Sequence, residues 1–289
     1  MSAYKSVFRD DLFTEKVVVV TGGGSGIGRC TAHELASLGA TVVLVGRKEE
    51  KLLKTVAEIV EDGGEADHRV LDIRVEDDVK ACVASILEDH GWIAGLVNNA
   101  GGQFPSPVAA INQKGFETVV RTNLVGGFLM AREIYNQHMC KHGGAIVNML
   151  ADMWKGMPGM GHSGAARAGM MNFTMTAAVE WAPSGVRVNA VAPGWIASSG
   201  MDTYSGAVKS MIPMLKNAVP LKRMGTESEV SAAICFLLSE ASAFVTGATL
   251  KIDGAASLAP HMWPMPNHEK APEYNGFHRA VQPKVLEEG

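Results

Sequence analysis

The residues from Thr21 to Gly28 form a glycine-rich turn directly after a short apolar run, a pattern that binds phosphate groups. The apolar run is KVVVV at 16–20, and the turn reads TGGGSGIG. Glycines let the backbone approach a ligand closely, and a helix beginning at Gly26 would direct free N–H groups and the positive end of its dipole toward an anion. The strict GxGxxG spacing fails because position 29 holds Arg29. The sequence therefore predicts a phosphate-binding turn of the form TGxxxGIG, whose binding residues are Gly22, Ser25, Gly26, Ile27 and Gly28.

The elements that position this turn are short apolar runs that alternate with helical patterns. The predicted strands are 16–20, 41–45, 68–73, 95–100, 145–150, 186–193 and 248–253. The predicted helices are Gly26–Leu38, Lys48–Asp62, Glu76–Asp89 and His162–Trp181. Short, continuously apolar strands that alternate with helices are typical of a parallel sheet covered on both faces. We therefore expect an α/β fold, doubly wound, with helices on both faces of the sheet.

The alternation continues to about residue 254 without a linker or an internal repeat, so we expect a single domain over 1–254. The remaining residues, 255–289, are rich in proline and predict an extended C-terminal tail. Because this tail carries Trp263 and Phe277, which favour burial, we expect it to pack on the same domain.

The composition and charge exclude several classes of protein. The chain has 289 residues, of which 47% are apolar, and its net charge is −4. A slightly acidic chain without basic runs argues against a nucleic-acid partner, and no apolar run reaches the roughly 18 residues of a membrane helix. The N-terminal residues MSAYKSVFRDD lack a signal-peptide pattern, and the final LEEG is not a peroxisomal address, so we expect a cytoplasmic protein. No metal site is expected, because the four cysteines lie far apart: Cys30, Cys82, Cys140 and Cys235.

Several ordered motifs resemble those of the short-chain dehydrogenase/reductase superfamily over about residues 14–254. They are TGGGSGIG (21–28), LDI (71–73), NNAGG (98–102), TNL (122–124) and VRVNAVAPGWI (186–196). The resemblance implies a single Rossmann-type domain with a seven-stranded parallel sheet, assembled as a homo-oligomer, either a dimer or a tetramer. The segments NNAGGQF (98–104) and HSGAARAG (162–169) are similar to those of peroxisomal trans-2-enoyl-CoA reductases and of bacterial citronellol-catabolism dehydrogenases.

The end of the second predicted strand indicates which coenzyme is used. An acid there, about 20 residues after the glycines, binds the ribose hydroxyls of NAD, but this strand ends in Gly46-Arg47-Lys48. Two cations suit the extra phosphate of NADP, so we expect NADP(H) to be favoured over NAD(H); the alternative is that Arg47 and Lys48 are simply solvated. The resemblance further implies that the coenzyme contacts Asp72, Ile73, Asn99, Ala100, Gly101, Pro193, Gly194 and Ile196.

The catalytic positions depart from the family pattern, which uses Asn, Ser, Tyr and Lys. Asn123 matches the family asparagine, but Ala151 stands where the serine is expected. On the long helix, Ser163 occupies the tyrosine position and Arg167 the lysine position. Residues four apart share one helix face, so Ser163 and Arg167 still face one site. The predicted catalytic residues are thus Asn123, Ser163 and Arg167, and Arg167 also binds the coenzyme.

These departures favour reduction of a carbon–carbon double bond. A serine is a far weaker acid than a tyrosine, and an arginine stays charged and cannot relay protons. Exchange between carbonyl and alcohol needs a proton donor in its transition state, whereas conjugate reduction of an enoyl thioester gathers charge on an oxygen that neutral donors can stabilise. We therefore expect an NADP(H)-dependent, 2-enoyl-CoA reductase-like enzyme of lipid metabolism. The alternatives are a dehydrogenase of a terpenoid alcohol such as citronellol, and a coenzyme-binding homologue with little catalysis.

Other side chains could supply a proton or contact the substrate. The proton-source candidates are His162, Asp152 and Tyr204, whereas Tyr135 is expected to pack in the core. An apolar substrate is predicted from Trp154, Trp195 and the methionines at 149, 153, 157, 160, 170, 171 and 175, because methionine adapts to irregular apolar shapes. Ordinary core packing explains the helical methionines equally well. Lys222-Arg223 is the best candidate for the phosphates of coenzyme A.

Overall fold

Seven parallel strands form one sheet within the residues that the structure, a computed structural model, describes: 3–259 and 264–286. The strands are β1 (Val17–Thr21), β2 (Thr41–Gly46), β3 (Glu65–Val70), β4 (Gly95–Asn98), β5 (Gly144–Met149), β6 (Val186–Pro193) and β7 (Thr249–Ile252). Their order is β3-β2-β1-β4-β5-β6-β7, and every neighbouring pair is parallel. The predicted Rossmann-type sheet is confirmed.

Helices cover both faces of this sheet. They are α1 (Gly26–Ser37), α2 (Glu49–Glu61), α3 (Glu76–His90), α4 (Gln113–Val120), α5 (Gly126–Ile134), α6 (Cys140–His142), α7 (Gly161–Glu180), α8 (Gly206–Met211) and α9 (Glu227–Leu238). Successive side chains of a strand point to opposite faces. In β1, Val18 and Val20 accordingly pack in one core with α1, α2 and α9, while Val17 and Val19 pack in the other with α3, α5 and α7. Burial on both faces is why β1 carries four consecutive valines.

The third strand begins earlier than the sequence predicts. The apolar pattern placed it at 68–73, but β3 spans Glu65–Val70. Because β3 is an edge strand, its side chains are partly exposed and polar. The buried residues that drew the prediction, Leu71 and Ile73, lie just beyond the strand and pack beneath α3 and α5.

The described part of the C-terminal tail lies against the domain. Phe277 is 3% exposed and packs against Tyr4 and Cys30, with the Arg29 guanidinium 4.9 Å from the ring centre. Further along, Val285 is buried against Met201 and two neighbouring side chains, Ile212 and Met224. Trp263, the other aromatic residue expected to anchor the tail, lies outside the described residues.

None of the helices in the described ranges is long and apolar enough to cross a membrane.

Candidate active site

A cleft of about 420 Å³ opens at the carboxyl ends of the central strands. The strand order reverses between β1 and β4, and such switch points are where open α/β sheets bind ligands. The cleft brings together residues far apart in the chain: Ile27, Asn99, Gly101, Gly102, Gln103, Met149, Leu150, Ala151, Arg167, Pro193, Gly194, Trp195, Ile196, Ser198, Gly200, Met201 and Tyr204. The predicted coenzyme-binding residues Ile27, Asn99, Gly101, Arg167, Pro193, Gly194 and Ile196 are among them.

The glycine-rich turn connects β1 to α1 beside this cleft. Gly22 has a φ of +69°, and a Cβ on Gly28 would lie only 2.4 Å from the side-chain nitrogen of Asn99. That nitrogen donates a hydrogen bond of 3.0 Å to the carbonyl of Thr21. Asn99 therefore fastens the turn to the end of β4, and glycine at 28 is needed for this close approach. The first turn of α1 carries no acidic residue, and the Ser25 side chain does not cap it, so an anion meets no competing carboxylate within that turn.

A buried acid from another helix faces the start of α1. A Cβ on Gly26 would lie 3.8 Å from Glu227 Oε1, at the N-terminus of α9. Burial raises the pKa of Glu227 to about 7, although the nearby charge of Arg29 opposes the shift. Sequence reasoning missed this residue because Thr226 and Glu229 form a capping box, in which a neighbouring acid is expected to be solvated.

Positive charge surrounds the site expected for the adenosine ribose. Arg47 and Lys48 are exposed where β2 ends. The carboxylate of Asp72 accepts hydrogen bonds from Arg74, at 2.8 Å from Nε and 2.5 Å from Nη2. This pairing, assisted by the charge of Arg47, lowers the pKa of Asp72 to about 2. Arg74 is a cation that sequence reasoning overlooked, and Ile73 beside it is buried against Gly126.

The side chain of Asn123 is hydrogen-bonded to the backbone of the cleft wall. It is buried within a π-helical turn, Arg121–Val125, that joins α4 to α5. Its side-chain amide donates to the Gly102 carbonyl at 3.0 Å and accepts from the Gly102 N–H at 2.8 Å. Both ends of the amide are therefore engaged, and they hold the turn after β4 in place.

Arg167 is a buried cation inside the cleft wall. Its side chain is 9% exposed, Nη1 donates to the Met149 carbonyl, and Nε is buried without a hydrogen-bond partner. Burial lowers its pKa to about 10, which leaves it charged at neutral pH. No acidic side chain within the described ranges lies within ion-pair distance of it. A buried charge without a partner is costly, so this position favours an anionic ligand or intermediate.

Ser163 lies behind the cleft rather than in its wall. It is 0% exposed, and its hydroxyl donates a 2.7 Å hydrogen bond to Oε1 of Gln103. Gln103 in turn donates from Nε2 to the phenol oxygen of Tyr204 at 3.2 Å. Ser163 therefore contacts a residue of the cleft lining, Gln103, and its predicted catalytic role stays a prediction. No local pattern reveals this partner, because Gln103 precedes Ser163 by 60 residues.

The other proton-source candidates differ in position. His162 is buried, its Nδ1 accepts the Ser163 N–H at 2.9 Å, and its ring packs edge-to-face on Phe104. Asp152 is not part of the cleft lining, and its pKa is raised by burial and by the like charge of Asp253. Tyr135 stacks on Trp181, as core packing requires. Tyr204 is the candidate that lines the cleft.

The walls of the cleft are largely apolar. Met149, Leu150, Trp195, Ile196 and Met201 supply this surface. Met170, by contrast, is buried in the core with Leu150 and with Ala190 and Ala192 of β6. Within the described ranges, no group of three or more His, Cys, Asp or Glu side chains is placed to hold a metal ion.

Comparison with known proteins places the chain among oxidoreductases. Residues 22–256 match the family model described as Enoyl-(Acyl carrier protein) reductase. A peroxisomal 2,4-dienoyl-CoA reductase, (3E)-enoyl-CoA-producing, from Danio rerio is 36% identical over 89% of this chain and 87% of its own. A glucose 1-dehydrogenase from Gluconobacter oxydans is 38% identical over 86% of this chain and 94% of its own.

Among solved structures, the citronellol catabolism dehydrogenase AtuB of Pseudomonas aeruginosa superposes with a TM-score of 0.80. It is 67% identical to this chain and covers 88% of this chain and all of its own. The glycine turn, the seven-stranded sheet and these matches lead to one assignment. The chain belongs to the short-chain dehydrogenase/reductase family of oxidoreductases.

Proposed function

We propose that this protein uses NADPH to reduce the carbon–carbon double bond of an enoyl thioester with an apolar acyl chain. The observation that carries the proposal is Arg167, a buried cation with no acidic partner among the residues that the structure describes, at the position where the family places a proton-relaying lysine. A fixed charge in a site shielded from water stabilises negative charge that develops during the reaction. Conjugate reduction develops such charge on the thioester oxygen.

The residues of the cleft fit a nicotinamide dinucleotide. The turn from Gly22 to Gly28, together with Ser25 and the uncapped N-terminus of α1, would hold the diphosphate, because anions bind at helix N-termini. Asp72 and Ile73 would hold the adenine, the loop of Pro193, Gly194 and Ile196 the nicotinamide, and Arg167 the adjoining ribose. Asn99, Ala100 and Gly101 would line the wall between them. When bound, the reduced coenzyme supplies a hydride.

NADP(H) is favoured over NAD(H) in this proposal. Arg47 lies close enough to lower the pKa of Asp72, so its charge faces the adenosine corner of the site. A guanidinium binds phosphate oxygens in a bidentate manner, which suits a 2′-phosphate. Lys48, exposed next to it, adds a second cation.

The groups at the family's catalytic positions favour an enolate over an alkoxide. Ala151 offers no hydroxyl where the family has a serine, and Ser163 reaches the cleft only through Gln103. An alcohol dehydrogenase needs a group that removes the hydroxyl proton as hydride leaves. Arg167 remains charged and cannot be that group.

The acyl chain is the part of the substrate for which the cleft is best suited. The apolar wall of the cleft, which includes Met149, Trp195 and Met201, accepts a branched or unbranched hydrocarbon. The Arg223 guanidinium is paired with both carboxylate oxygens of Glu229, at 2.9 and 2.5 Å, and also donates to the Ala271 carbonyl. It is therefore poorly placed for the phosphates of coenzyme A, and we propose that affinity resides chiefly in the acyl portion.

Oxidation of a terpenoid alcohol is the second candidate, and the 67% identity with the citronellol catabolism dehydrogenase favours it. The substrate of either reaction would present a branched hydrocarbon to the same apolar wall. The two candidates differ in the bond that reacts, which a turnover assay distinguishes directly.

The test is turnover with NADPH against 2-enoyl-CoA and 2,4-dienoyl-CoA thioesters, and with NADP⁺ against citronellol. We expect thioester reduction, and we expect Arg167→Met to lower kcat/KM by about 100-fold, the size of effect seen when one oxyanion-stabilising group is removed. Arg167→Lys, which keeps the charge, is the matched control and should retain more activity. Robust alcohol oxidation without thioester reduction would establish the second candidate. Tight coenzyme binding with no turnover would indicate a binding protein with little catalysis.

A further inference from the structure

We infer that Tyr204 is the proton donor of the reduction proposed above, and that Ser163 and Gln103 are positioning residues that aim its phenol. This inference rests on the proposed function, because it identifies the donor that replaces the missing family tyrosine. Tyr204 lies on the segment after β6, its side chain lines the cleft, and its phenol oxygen is hydrogen-bonded to Gln103.

The donor and acceptor roles of Ser163, Gln103 and Tyr204 determine whether the hydroxyl hydrogen of the phenol remains available. Ser163 donates from its hydroxyl to Gln103 Oε1 at 2.7 Å, which leaves the Gln103 amide nitrogen as the donor to Tyr204 at 3.2 Å. Since the phenol oxygen accepts this bond, its own hydrogen is not used in it and can be donated into the cleft that Tyr204 lines. The same N–H would stabilise the phenolate once the proton has left.

Two sets of contacts hold this chain of hydrogen bonds in place. Ser163 is fully buried on α7, so its hydroxyl has a fixed position from which to orient the exposed Gln103 side chain. Tyr204 packs against a cluster formed by Met201, Ile212 and Val285. Next to it, the Asp202 carboxylate accepts the backbone N–H groups of residues 284 and 285, at 3.3 and 3.2 Å. The tail therefore fixes the segment that carries the phenol.

The other groups at the cleft are weaker candidates. Among the described lining residues, the side-chain hydroxyls belong to Tyr204 and Ser198. A phenol is a far stronger acid than an aliphatic hydroxyl. His162 is buried outside the lining and uses Nδ1 to accept the Ser163 N–H. Arg167 keeps its charge, so it cannot donate the proton and instead stabilises the enolate.

The step balances as follows. Hydride adds to C3 of the enoyl thioester and forms a C–H bond there, while the C2=C3 π pair moves toward the thioester oxygen, where Arg167 stabilises the charge. The O–H bond of Tyr204 breaks, and its proton bonds to C2 as the carbonyl reforms. The phenolate then takes a proton from water. The thioester gains two electrons and two hydrogens, one as the hydride that a bound NADPH would supply and one as the proton from Tyr204.

The experiment measures single-turnover and steady-state reduction of a 2-enoyl-CoA by Tyr204→Phe. We expect kcat to fall by about 100-fold with KM changed less than threefold, as for loss of a general acid. Tyr135→Phe, which removes a phenol from the core packing remote from the cleft, is the matched control and should keep wild-type kcat. Solvent deuterium should slow the wild-type enzyme at least twofold, and this effect should change in Tyr204→Phe.

Positioning is tested by non-additivity. Ser163→Ala and Gln103→Leu should each lower kcat by about 10-fold, yet neither should lower it further once Tyr204 is phenylalanine, because all three act through one proton. A merely structural role for Ser163 would instead give additive losses, and that result would overturn the positioning claim. Coenzyme affinity and circular dichroism, measured in parallel, report whether each variant is folded.

Failure of this inference and failure of the proposed function look different. If wild type reduces the enoyl-CoA and Tyr204→Phe retains more than half of kcat, Tyr204 is not the donor while the proposed function stands. If wild type reduces no thioester and oxidises an alcohol instead, the proposed function and this inference both fail.

Discussion

Three cationic side chains lie near the site where we expect the adenosine of a coenzyme to bind. Arg74 donates three side-chain hydrogen bonds to Asp72, which offsets its charge, whereas Arg47 and Lys48 are exposed at the end of β2. A 2′-phosphate would therefore be bound mainly by Arg47 and Lys48. The chain lacks the acid that would favour the ribose hydroxyls of NAD at this strand end.

We expect NADPH to bind more tightly than NADH by about 1.5–3 kcal/mol, roughly 10- to 150-fold, and Arg47→Asp to abolish most of that difference. Lys54→Asp makes the same charge change on the exposed face of α2 and serves as the control. Titration of both coenzymes by fluorescence measures the two affinities. Equal affinity of the unmodified protein for NADPH and NADH would contradict the assignment.

The sequence shows which residues stand at the catalytic positions, but it does not show which other residues they contact. The spacing of Ser163 and Arg167 places them on one face of α7, and their replacement of the family residues is visible directly. The spacing does not reveal that Arg167 is buried with no acidic partner in the part of the chain that the structure describes, or that Ser163 reaches the cleft through Gln103. Both features depend on which distant segments fold against α7. Asn123 likewise matches a motif, but its clamp on Gly102 follows from the π-helical turn.

The packing of α9 against α1 places an acid, Glu227, beside the N-terminus of α1, where we expect the coenzyme phosphates to bind. Glu227, at the start of α9, is buried against α1, with Arg29 and Cys30 of that helix as its ionisable neighbours. Burial raises its pKa from 4.5 to about 7. Between these two values the folded protein keeps a proton that the unfolded chain has released.

The contribution of Glu227 to stability is therefore greatest below pH 4.5 and falls as the pH rises toward 7. The full difference is on the order of 3 kcal/mol, from 1.36 kcal/mol per pKa unit. We expect Glu227→Gln to gain stability relative to wild type between pH 5 and pH 7.5, measured by urea denaturation at both values. Glu240→Gln, at an exposed carboxylate, should show no such pH-dependent gain. A constant difference between Glu227→Gln and wild type across this range would rule out a buried, proton-binding carboxylate.

Elements are predictable where burial is complete and less so at edges. Strands β1 and β2 follow from nearly unbroken apolar runs, because helices cover both of their faces. The edge strand β3 has mixed side chains, so the apolar pattern moved the prediction to buried residues beyond its end. The π-helical turns that flank α5 are not predicted from the pattern of apolar residues.

Across the whole molecule, the tail links the coenzyme side to the substrate side. Arg279 pairs with Asp62 at the end of α2, Phe277 fills a pocket on α1, and Val285 supports the segment that carries Tyr204. The proline content predicts that the tail is extended, but it cannot indicate which surface the tail follows. A domain boundary at 254 stays a prediction, and the energetic contribution of the tail decides whether it is useful to treat 1–254 as a separate unit.

If the tail is part of the cooperative fold, Phe277→Ala should lower the free energy of unfolding by about 3 kcal/mol, because truncating a buried phenylalanine leaves a cavity. Val281→Ala, four residues along the same tail but 64% exposed, should change it by less than about 0.5 kcal/mol. Urea midpoints give both values, and hydrogen exchange at residues 26–37 shows whether α1 loses protection together with the tail. If Phe277→Ala matched Val281→Ala, the tail would open independently of the domain. The support it lends to Tyr204 through Val285 would then be local, and the unit 1–254 would carry the stability of the fold by itself.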